Sequence, residues 1–148
     1  MRKIHCMVIQ LILLFWFFLD MMGLSFGDNC LVTRSYKDDG IFFLVYLTVV
    51  LLFIFKEKIG KWMMMIWLFM WLAIQFMCHE WYTIFNKGFM GTVEGKIKYF
   101  SGTLHWLKTK DRYIPDVYHT ILHILILCAL ISTVVYSVKT EKKRSERT

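Results

Sequence analysis

Proline is almost missing from this 148-residue chain, which has one, and charge is scarce, at 20% of residues. The charges that exist are bunched. Runs without Asp, Glu, Lys or Arg cover residues 4–19, 41–55, 62–79 and 117–138. That distribution excludes a disordered polar chain and an ordinary soluble globule, where both signs are interspersed. The four cysteines include no C-x-x-C pair, which excludes a dithiol oxidoreductase site of that kind and a disulfide-dense secreted fold. A phosphate loop, a nucleophile elbow, a dinucleotide-binding glycine fingerprint and an N-x-S/T glycosylation site are all absent. No A-x-A site follows the basic start and first apolar run, where Gly23-x-Ser25 and Ser25-x-Gly27 are poor substitutes. The first run is therefore expected to stay in the protein as a span.

What is present is apolar: 57% of the chain is hydrophobic and 18% aromatic. A hydrocarbon layer of about 30 Å takes about 20 helical residues, at a rise of about 1.5 Å each. The run 117–138 has that length alone, and 62–79 reaches it with the apolar residues beyond Glu80. The first run reaches it only by carrying Asp20 inside. The shortest, 41–55, needs Lys56 and Lys58 to extend to the headgroups. None alternates with period two, so helices are expected rather than barrel strands. The expected fold is all-α: an integral membrane four-helix bundle with spans at about 4–26, 41–58, 62–85 and 116–138. Residues 1–138 would form a single membrane domain, and 139–148 a basic, solvated cytoplasmic tail.

Lysine and arginine set the orientation. With the N-terminus in the cytoplasm, the inner segments carry ten basic residues in three short stretches against the acids Glu57, Glu141 and Glu146. The outer loops then carry eight basic residues over much longer sequence, with six acids. The expectation is a multi-pass cell-membrane protein with both termini cytoplasmic. Its partners are then the lipid bilayer and other membrane proteins. The net charge of +7 flanks the spans and forms no separate aromatic-interleaved basic patch, so nucleic acid is not expected. In the loop after the third span, Val93, Ile97, Phe100, Leu104 and Leu107 fall on one helical stripe. They predict a short interfacial helix, against which Gly95 and Gly102 count.

Ionisable groups inside a span are costly and need a reason. Asp20, His79, Glu80, His119 and His123 all fall at the outer third of the expected bilayer. Asp116, His119 and His123 share one helical face by their spacing of three and four. Two histidines at i, i+4 suit a metal, with an acid orienting the ring through its second nitrogen. In that reading His79, His119 and His123 are the metal ligands, zinc or haem iron the group held, and Glu80 and Asp20 the catalytic proton handlers. A proton path through the same residues is another use. The bland alternative is that they suit the wet interface or join helices and bind nothing, and the zincin pattern is broken by Thr83. Met63, Met70 and Met77 repeat on one face but read as packing rather than a copper stripe. Cys30 and Cys78 lie toward the same side, and pairing between them is left open. A non-enzymatic accessory, assembly or protective component is the first functional expectation. A membrane enzyme or carrier with an outer His/Glu/Asp site is the second.

Overall fold

Each apolar run becomes one long helix in a computed structural model that describes residues 2–146. Helix α1 spans Lys3–Met22, α2 Tyr36–Phe55, α3 Glu57–Phe85 and α5 Val117–Ser145. A two-stranded antiparallel hairpin, β1 (Leu24–Phe26) and β2 (Asn29–Val32), joins α1 to α2. A short helix α4, Val93–Tyr99, lies between α3 and α5. The protein is predominantly helical, and its four long helices are long and apolar enough to cross a membrane.

The main helix contacts run α1 to α2, α2 to α3, α3 to α5 and α5 back to α1. Between them lie Leu13, Phe17, Tyr46, Phe53, Leu68 and Ile126. Trp71 is wedged into this core, its ring 4.6 Å from Phe17 and 5.3 Å from Tyr46. The outward faces are equally apolar, with Phe15, Ile66, Phe69, Ile124 and Ile131 exposed. Helices that are apolar all round are what a hydrocarbon surround selects.

Helix boundaries differ from the expected ones for identifiable reasons. Helix α1 stops at Met22 rather than reaching Phe26, because Gly23 takes φ +73° and releases the chain into the hairpin, whose turn uses Gly27 at φ +58°. Helix α2 starts at Tyr36, five residues before Ile41, with Asp38 and Asp39 in its first turn, where the helix dipole favours acids. Helix α3 starts at Glu57, so Lys56 alone separates it from α2. Helix α5 runs past residue 138 to Ser145, while residues 147–148 lie outside the described ones. The charges there do not end the helix. Glu141 bonds Lys61, which is buried, and Glu57 bonds Tyr136. The loop stripe forms a helix only through Tyr99. Val93 and Ile97 pack on Tyr82, Phe100 and Tyr113, but Leu104 and Leu107 stay exposed. Leu104 N–H instead donates to Cys30 carbonyl oxygen at 2.7 Å, pinning the loop to β2.

Two features hold the helices in register. A Cβ on Gly60 would sit 2.3 Å from the Phe53 Cα, so the α2–α3 hairpin closes only over glycine. Gln10 Nε2 donates to the Ala129 carbonyl at 3.2 Å and to Thr133 Oγ1 at 2.9 Å, while its Oε1 accepts from the Tyr46 hydroxyl at 2.7 Å. One side chain thus joins three helices. Gly60→Ala is expected to destabilise the fold by about 3 kcal/mol, as backbone overpacking does. Gln10→Ala should cost about 1–2 kcal/mol, the scale of a lost buried hydrogen-bond set in such proteins. Reversible unfolding in mixed detergent micelles reads both.

Candidate functional site

The sharpest local pattern, Asp116 to His123, opens α5. Asp116 is the N-cap residue, and its Oδ1 accepts from the His119 backbone N–H at 2.8 Å. The same oxygen lies 2.7 Å from His119 Nδ1, and Oδ2 accepts from the Thr103 hydroxyl at 2.9 Å. The carboxylate is wholly buried and fully engaged. Its grip on Nδ1 fixes the ring and leaves Nε2 as the free edge of His119.

Helix α3 meets this dyad through an irregularity. Residues Phe76–Glu80 form a π-helical turn, a local widening that often marks a functional position. It brings Cys78 and His79 to the lining of one cavity and Glu80 to His123. The His79 ring is buried and stacks on His119 with centroids 4.3 Å apart and planes at 24°. The His123 ring meets His79 edge-on at 5.2 Å. The Tyr113 hydroxyl lies 2.6 Å from His79 Nδ1. Burial pushes the Tyr113 phenol well above the ordinary tyrosine range, so it keeps its proton. His123 Nδ1 is bonded to Glu80, and its Nε2 lies 3.1 Å from Gln75 Oε1.

Beside the stacked rings lies a cavity of about 230 Å³. Its polar wall holds Asp20 from the end of α1, Asp39 from the first turn of α2, Asp116, His79, His119 and Lys96. Phe42, Trp71, Tyr99 and Phe100 supply aromatic wall. Asp20 is only 5% exposed, and its polar side-chain neighbours are Ser35 and Asp39. Lys96 projects its ammonium over the rings of Phe100, Tyr82 and Tyr113, at 5.1, 5.5 and 5.8 Å from their centroids. Burial pushes that ammonium below the usual lysine range.

The sequence-predicted residues are thus divided. His79, His119 and His123 come together as a chain of rings, with Glu80 on the His123 side and Asp20 across the cavity. Among the described residues, no group of three or more His, Cys, Asp or Glu is disposed to hold a metal ion. All four cysteines are free, so Cys30 and Cys78 are not paired. Asp39, Lys96 and Tyr113 were not singled out by the sequence. Asp39 precedes the expected second span, 41–58, and Lys96 and Tyr113 lie in the connection after the third, where no spacing distinguishes them.

Chemically the arrangement can bind a small charged solute, while its three imidazoles meet through ring contacts and bond separately to Tyr113, Asp116, Glu80 and Gln75. No protein-family model, curated protein or solved structure matches the chain. The depressed Lys96 amine has a direct consequence. With lysines dimethylated using ¹³C-formaldehyde, the Lys96 signal, assigned with Lys96→Arg, should titrate at lower pH than every other lysine, since the neutral amine is favoured by burial. A Lys96 signal that titrates with the surface lysines would contradict the caged geometry.

Proposed function

We propose that this chain is a four-span helical bundle of the cell membrane, both ends cytoplasmic, whose outer end forms a binding chamber for a small polar solute. It is a binding or carrier component, in which Asp20, His79, His119 and their neighbours receive a ligand. Four apolar helices compatible with a small membrane protein support the setting, and the basic residues near Lys3, Lys58 and Lys142 support the orientation. Zinc and haem are not part of this reading.

The observation that carries it is the open cavity among charged side chains. Polar residues that serve only to join helices pack against one another, as Gln10, Tyr46 and Thr133 do. The polar residues at the other end leave room between them instead. At about 230 Å³ the chamber falls below the roughly 300–1,000 Å³ of pockets for drug-sized molecules, so a small solute fits it. An accessory role through protein partners alone gives no reason to hold several carboxyls at the edge of a cavity.

Cys78 lines this chamber, whereas Cys6 is buried between helices. A variant that keeps Cys78 alone should react with a membrane-impermeant thiol reagent added to intact cells. A cysteine placed at Thr148 should react only after permeabilisation. The opposite pattern would overturn the orientation, and a Cys78 inert on both sides would overturn the open chamber.

A further inference from the structure

The chamber's charges are unevenly matched. Three carboxyls line it, against the single ammonium of Lys96. Asp116 is neutralised locally by His119 and Thr103. The ion pairs among the described residues join Lys3 to Glu57, Lys61 to Glu141, His119 to Asp116 and His123 to Glu80. Asp20 and Asp39 belong to none of them. Asp20 is hydrogen-bonded to Asp39 and Ser35 and faces Asp116, while Asp39 also faces Asp38 and the imidazole of His119. Lys96 does not compensate them, because its ammonium is held over three aromatic rings on another wall. Two carboxyls hydrogen-bonded to each other in a largely buried pocket share a proton, and the charge that remains on the pair has no lysine or arginine to meet it.

The type of cation follows from the rest of the wall. A divalent metal requires several donors converging at about 2–2.6 Å, and no described group of His, Cys, Asp and Glu is so disposed. Aromatic faces favour a different guest. Phe42 follows Asp39 by one turn of α2, Trp71 packs on Phe17, one turn before Asp20, and with Tyr99 and Phe100 they line the cavity. Carboxyls set among aromatic faces hold weakly hydrated ammonium groups through charge and ring quadrupole together.

We propose that the chamber binds a small organic cation, an alkylammonium, with Asp20 and Asp39 as its counter-charges and Trp71 and Phe42 as its aromatic walls. The proposal rests on the chamber being a ligand site. Thiol access to Cys78 and cation binding are separate readouts, so an accessible chamber that takes no alkylammonium defeats this proposal alone.

The test uses the full chain purified in detergent and titrated calorimetrically with tetramethylammonium chloride at constant ionic strength. Sodium chloride, zinc chloride, sodium acetate and sodium phosphate are the comparison titrants. Saturable binding of tetramethylammonium is expected, with none for the others. Asp20→Asn and Asp39→Asn should each weaken it at least tenfold, and Trp71→Phe several-fold. Asp38→Asn, at a residue outside the cavity lining, should change it less than twofold. Thermal unfolding of each variant identifies any that fails to fold, and Asp20→Asn and Asp39→Asn then stand in for one another. Saturable uptake of acetate or phosphate in place of the cation, tight zinc uptake, or carboxyl variants that bind tetramethylammonium like the parent protein would each overturn the assignment.

Discussion

A carboxylate without water survives only if its oxygens are occupied, and Asp116 is the place where this protein meets that condition. Its side chain has no exposed surface, yet it takes donors from the His119 backbone, the His119 ring and the Thr103 hydroxyl. Each donor lies on a different piece of structure or serves a different purpose. The backbone bond starts α5, and the ring bond sets the plane on which His79 stacks. The Thr103 bond draws in the long connection after α3, which the neighbouring Leu104 also ties to the β-hairpin through Cys30. One buried charge thus makes a single unit of the hairpin, the connection, α3 and α5.

The polar groups deeper between the helices answer a different need. In the proposed membrane setting, lipid chains are as apolar as leucine, so association between helices depends on close packing and hydrogen bonds. Gln10 supplies them with both ends of its amide, while Cys6 adds weak contacts to Ser132 and Thr133 at 3.8 and 3.7 Å. Gly60 supplies the close packing. In this set the polar atoms bond one another directly. The set around His79 and Asp20 is open, although it draws on the same kinds of side chain. The contrast between a satisfied joint and carboxyls set around a cavity is what supports the proposed division between a structural joint and a binding chamber.

The four long helices were legible because the property that makes them, a run of apolar residues about a membrane thick, is local. Their ends were less so. Asp38, Asp39 and Glu57 look like loop charges until it is seen that first turns accept acids, and Gly23 ended α1 early through a backbone angle rather than a change in hydropathy. Half of the site followed the same division. Asp116, His119 and His123 share a helix, so their spacing reveals their common face. The stacking of His79 on His119 depends on a π turn at Phe76–Glu80 that no glycine or proline announces. Asp39 stands in the first turn of α2, Lys96 on α4 and Tyr113 in the loop before α5, and the path of the chain that brings the three to one cavity or its rim is encoded by no periodicity.

The two ends of the helices are built in opposite ways, and the site depends on that difference. At the end holding both termini, Lys3 bonds the Ile54 carbonyl at 3.1 Å and Glu57 at 3.2 Å, and Glu57 also bonds Tyr136. Lys61, almost without exposed surface, bonds Glu141. Taking Glu141 from the pair would strand the buried Lys61 ammonium, so this end has little freedom to open. At the other end the helices are joined by longer connections, the β-hairpin and the α4 segment, and charged side chains line space instead of pairing across it. In the proposed binding role a ligand would enter there by contacts with side chains already in place, while the tied end keeps the helices that carry them from spreading.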